Sequence, residues 1–150
     1  MQKILQLFLL ALICITTINA TDCPEPKDAP FKKVMNTAFA EDYQKCPTVI
    51  HAQFFSSERP KAWMFPAKVN NLVVFQCVAI GEDPKSMPLS GELTGEFIAI
   101  PKDKSDLIFE LKKGDKVKIT GVTWIEKIGA MGSSAQTVYF MATAIEKEAQ

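Results

Sequence analysis

The apolar and polar positions of this chain change period several times, and each change marks an element. Phe31, Val34, Met35, Ala38, Phe39 and Tyr43 recur at helical spacing, opposite Lys32, Lys33, Asn36, Glu41 and Gln44. This predicts one amphipathic helix of about 15 residues, opened by an Asp28 N-cap with Pro30 in its first turn and ended before Pro47. From Thr48 to Ser56 the period is two, with Ile50, Ala52 and Phe54 inward and His51, Gln53 and Phe55 outward. Residues 71–80 are apolar on both faces except at Gln76, the pattern of a central strand.

The stretch 107–125, LIFELKKGDKVKITGVTWI, organises the second half. Leu107, Ile108 and Leu111 lie at helical spacing after Asp103 and Ser105, and Gly114 supplies a left-handed end. From Asp115 the alternation returns. Val117, Ile119, Gly121, Thr123 and Ile125 share one face, and Lys116, Lys118, Thr120, Val122 and Trp124 the other. Strands are also expected at 96–100 and 137–145. Loops are expected at 57–70, at 81–95 and at 127–136, where Gly and Ser gather around Met131.

The order is therefore helix, three strands, short helix, two strands. Five strands with a helix between the third and fourth resemble the oligonucleotide/oligosaccharide-binding (OB) superfamily over residues 48–146, with LKKGDKVKITG as the nearest local likeness. The resemblance implies a mainly β fold: a five-stranded OB-like Greek-key barrel with an added N-terminal amphipathic helix. The alternative is another small antiparallel barrel or sandwich with a flanking helix.

The first twenty residues change the compartment. Lys3 precedes an apolar run from Ile4 to Ile15, and Ala20 is a small residue at the expected cut. Residues 1–20 read as a signal peptide, 21–47 as a Pro-rich lead plus helix, and 48–150 as the barrel domain. Export to a periplasmic or extracellular space is the expectation. Neither Cys14 nor Cys23 sits in a lipoprotein motif, so no stable membrane insertion is expected after cleavage. Three cysteines then remain, which in an oxidising compartment implies one disulfide and one thiol. An extended lead folded back along a helix brings Cys23 to Cys46. The rival pair is Cys46–Cys77. A redox role for Cys77 lacks a CxxC motif.

Charge and motifs narrow the chemistry. The 17 basic residues balance 17 acidic ones, and all basic residues but Arg59 are lysines. That balance argues against a strong phosphate-binding footprint and sets nucleic acid down as an unlikely partner. His51, the sole histidine, has no carboxylate near it in sequence. It reads as a structural or surface histidine. No metal-ligand spacing, cofactor motif or hydrolase signature occurs, so no cofactor, no metal and no enzymatic activity are expected. The OB resemblance implies a ligand face on the second and third strands, flanked by loops 57–70 and 127–136. Its candidate residues are His51, Phe55, Arg59, Trp63, Phe65, Trp124 and Met131, aromatics suited to stacking and an arginine suited to an anion. The expectation is a non-enzymatic exported binding module for a protein, peptide or glycan. The alternatives are a structural envelope component, a single-stranded nucleic-acid binder or a small hydrolase.

Overall fold

The computed structural model describes residues 23–58, 71–86, 93–130 and 133–149. The strands are β1 (Lys27–Asp28), β2 (Thr48–Ser56), β3 (Leu72–Val78), β4 (Lys85–Ser86), β5 (Leu93–Thr94), β6 (Glu96–Pro101), β7 (Lys116–Ala130) and β8 (Ser133–Lys147). Strands β2, β3, β6, β8 and β7 pair in that order, and β7 pairs back onto β2, which closes a five-stranded barrel. All of these pairings are antiparallel except β6 with β8. This is the OB-like barrel that the element order implied.

Alternation decides which side chains fill it. Ile50, Ala52, Phe54, Phe75, Cys77, Ile98, Ile100, Val117, Ile119, Val138, Phe140 and Ala142 point inward and form one core. The register along β8 breaks opposite Thr120 and Gly121. That bulge changes the phase of β8, so Ile145 as well as Ala142 reaches the core. Gly121 is required at this crossing, because a Cβ there would lie 2.2 Å from the Met141 carbonyl oxygen.

The N-terminal helix departs from expectation. Only Phe31–Val34 is α-helical, followed by a 3-10 turn at Ala40–Tyr43. Asn36 explains the break, since its Oδ1 accepts the Ala38 N–H at 2.8 Å and offers the backbone a turn in place of a helix. Phe31, Val34 and Met35 still enter the core, but Phe39 is exposed and Ala40 is buried instead. The buried Thr123 hydroxyl donates to the Ala40 carbonyl at 2.5 Å, which pins this segment to β7. Asp28 does not cap a helix. It lies in β1, which pairs in parallel with Thr48 and Val49.

Cys23 is bonded to Cys46, their Cα atoms 5.3 Å apart, and Cys77 is a buried thiol. The helix before β7 is likewise reduced to 3-10 turns at Lys102–Lys104 and Asp106–Phe109, although Ile108 and Leu111 face the core as their spacing required. Gly114 has φ +98° in the turn where the Asp115 N–H meets the Lys112 carbonyl at 2.9 Å. Two expected loops contain strand. Residues 81–95 hold the small β4–β5 pair, and β7 and β8 continue to Ala130 and from Ser133 as a long hairpin.

Candidate ring-stacking face

The outer surface of the barrel wall carries a second apolar cluster, separate from the core. Val74 and Ala99 are buried there, with Leu72, Phe97, Trp124 and Met141 packed against them. Strand register generates it. Gln76 pairs with Phe97, Phe97 with Tyr139 and Tyr139 with Trp124, so four adjacent strands contribute one row. The neighbouring outer row is Val74, Ala99, Met141 and Val122. Side chains two residues apart share a face, which places the rows one above the other.

Three consecutive members of the first row are aromatic. The Phe97 and Tyr139 ring centres lie 6.0 Å apart with planes 28° from parallel, and those of Trp124 and Tyr139 lie 5.4 Å apart at 36°. Tyr139 is wholly covered, whereas Phe97 and Trp124 are half-buried. Any ring contact from outside therefore falls on the two flanking residues, with Tyr139 as their support. Burial, followed by the negative charge of Glu126, pushes the Tyr139 phenol up to about 12, so it stays neutral at physiological pH. At the other end the Gln76 amide is fixed on both sides. Its Nε2 donates to the Glu58 carbonyl at 3.2 Å, and its Oε1 accepts the Gly95 N–H at 2.9 Å. Gly95 is needed for that approach, because a Cβ would meet the Cys77 carbonyl oxygen at 2.5 Å.

The expected site residues divide. Trp124 belongs to the ring row. Phe55 is half-buried on the far side of β2, with the Lys113 ammonium 4.9 Å from its ring centre, so it packs against a neighbour and does not join the row. His51 faces outward on β2, opposite Lys118 of β7, also away from the row. Arg59, Trp63, Phe65 and Met131 lie outside the described residues. Phe97, Tyr139 and Gln76 were missed. Residues 71–80 read as apolar on both faces, which was the available signal, but only strand register aligns Phe97 with Tyr139.

His51 is not free of carboxylates. Its Nδ1 lies 2.7 Å from Glu148 and its Nε2 3.1 Å from Asp28, partners 97 and 23 residues away in sequence. Cys77 points into the core and His51 out of it, so the barrel wall separates the thiol from the imidazole. Burial also raises the Cys77 pKa, which makes it a poor nucleophile. Among the described residues no group of three or more His, Cys, Asp or Glu is arranged to hold a metal ion, and no helix is long and apolar enough to cross a membrane.

No protein-family model matches the chain, and no curated protein matches it. Among solved structures, the fold is similar to the mitochondrial single-stranded DNA-binding protein Rim1 of S. cerevisiae. That match has 11% identity and a TM-score of 0.42, and covers 67% of this chain and 92% of that one. It is also similar to a small single-stranded DNA-binding protein from Streptomyces coelicolor, with 16% identity, a TM-score of 0.43 and coverage of 68% and 93%. The expectation that nucleic acid is an unlikely partner is thereby corrected, since both of these similar structures are single-stranded DNA-binding proteins. A balanced overall charge does not by itself exclude such a partner. Single strands are also held by stacking on aromatic rings, which net charge does not register.

Proposed function

We propose that the chain is a non-enzymatic binding module that takes single-stranded nucleic acid across the outer face of β3, β6, β8 and β7. The observation that carries this reading is the row Phe97, Tyr139 and Trp124, aligned in register over three adjacent strands. These rings pack in the outer apolar cluster, and base stacking is a use that suits aromatics aligned across the outer face of such a barrel. Among the described residues the neutral Gln76 amide ends the row, and the acidic Glu126 acts on Tyr139. Stacking would therefore supply most of the affinity, with few phosphate contacts and a shallow dependence on salt.

The test is anisotropy of a labelled oligothymidylate at low ionic strength, for the parent and for Trp124→Ala and Phe97→Ala. Each variant should bind roughly 5- to 150-fold more weakly, from about 1–3 kcal/mol per stacked base. Absence of binding by a folded parent, or unchanged affinity in both variants, refutes the reading. Oligosaccharide is the second reading, favoured by the neutral-to-acidic rim and by the ability of the same rings to stack on sugars. A glycan bound by the parent and lost in Trp124→Ala would select it.

Export is part of the proposal. The apolar start of the chain and the Cys23–Cys46 disulfide support an oxidising compartment. Sequencing the N-terminus of the native protein tests it, with Thr21 expected first.

A further inference from the structure

We propose that His51 is a proton-operated clamp that holds the first strand and the segment after the last strand of the described fold against β2, closed when the imidazole carries two protons and half-open when it carries one. Asp28 belongs to β1, at the start of the described chain. Glu148 follows β8, at its end. Both carboxylates meet the same ring, on opposite nitrogens. An ionised carboxylate only accepts hydrogen bonds, and a neutral imidazole has a single N–H. Two carboxylates are satisfied only by the doubly protonated ring. Loss of one proton leaves a lone pair facing an anion, and one contact must yield.

The geometry says which. The Nδ1–Glu148 contact is 2.7 Å and the Nε2–Asp28 contact 3.1 Å, and the Glu148 side chain is 29% exposed against 75% for Asp28. The shorter, better covered contact keeps the remaining proton, so Asp28 lets go. Its release loosens β1, which beyond the disulfide is tied to β2 by pairing at Lys27–Asp28 and by the Ala29 N–H on the Val49 carbonyl at 2.9 Å.

The other charges around the ring do not replace this pair. Lys118 lies opposite His51 on β7 and is ion-paired with Glu146 of β8 at 3.7 Å. Lys147 is engaged by Asp115 at 2.7 Å, and the Lys116 carbonyl accepts the Glu148 N–H. Burial, the largest single influence on the ring, lowers its pKa, but the hydrogen bonds and charges of Asp28 and Glu148 together outweigh it and the net direction is upward. The lead is therefore held best while the ring is doubly protonated and both carboxylates are ionised, and loosens as pH rises through the His51 titration.

His51 is the only histidine, so its NMR titration is unambiguous. It should titrate above the ordinary ~6.5. Asp28→Asn and Glu148→Gln should each lower that value. Hydrogen-exchange protection of the Ala29 amide should fall roughly 2- to 5-fold through the same titration, the size of an exposed ion pair. The Gly114 amide, bonded to the Phe54 carbonyl within the barrel, serves as the reference and should not change. In His51→Gln the Ala29 protection should become independent of pH. A ring titrating at or below its ordinary value, or Ala29 protection that does not follow the His51 titration in the parent, overturns the clamp.

Discussion

Thr123→Val is a sharp test of how the N-terminal segment is attached. The substitution keeps the shape of the side chain and removes a single donor. Thr123 is 3% exposed and Ala40 not at all, so the Ala40 carbonyl loses the hydroxyl with no water to take its place. Orphaning a buried acceptor costs about 1–3 kcal/mol, and we take about 2 kcal/mol for a neutral carbonyl. For a barrel of this size that lowers Tm by roughly 6–10 °C, interpolated between the shifts of smaller and larger domains. In urea, with a slope of about 1.5–2 kcal/mol/M, the midpoint falls by roughly 1 M. The slope itself should not change, because no surface is newly exposed in the native state. Thr123→Ser keeps the hydroxyl and should lose far less. A Thr123→Val protein as stable as the parent, or a serine variant equally damaged, would refute the hydrogen-bond account and assign the site to methyl packing.

Other consequences follow from single groups. Gly121→Ala places a methyl against the Met141 carbonyl and should cost at least the about 1–3 kcal/mol of overpacking, read as a lower urea midpoint. Asp115 accepts the Lys112 backbone N–H and pairs with the Lys147 ammonium, which holds its carboxyl below the usual range. Its contribution is present above the unfolded pKa and lost as pH falls through the folded one, so Asp115→Asn should flatten the acid limb of a stability–pH curve. The Tyr139 phenol, pushed up to about 12, stabilises the fold below its unfolded value near 10 and ceases to do so as pH rises through about 12. An ultraviolet titration should therefore show one of the two tyrosines ionising late, and Tyr139→Phe should abolish that late step.

Period-two alternation made the barrel legible. β2 falls at the positions expected of it, and in β7 the face Val117, Ile119, Gly121 and Thr123 is the buried one. Helical spacing was a weaker guide. Phe31, Val34 and Met35 satisfy an α-helical stripe and a single helical turn equally well, and the side chain of Asn36 decided between them. Chain distance concealed more. Asp28 and Glu148 reach His51 only because β1 and the end of β8 both lie along β2 and its neighbour, a consequence of closure that no local window contains. The disulfide was legible in part. The sequence favoured Cys23–Cys46 through a lead folded back on a long helix, and the pairing holds although that helix is short.

The ring row follows from an excess that the sequence displayed without locating. A closed barrel of five strands needs one apolar face per strand, because the opposite face looks outward. β3 nevertheless alternates Phe75 and Cys77 inward with Leu72 and Val74 outward, and β6 and β8 likewise set Phe97, Ala99, Tyr139 and Met141 outside. An apolar run on a central strand was a sufficient explanation while strands were considered singly. Closure removes that explanation, since the surplus side chains lie outside the core. Their alignment in two cross-strand rows, bounded by the doubly bonded Gln76 amide, gives the surplus a shape: rings along one row and small or flexible side chains along the other, with Val74, Ala99 and Tyr139 covered and Phe97 and Trp124 partly exposed. On the proposed reading, Phe97 and Trp124 are the positions at which binding should first be lost.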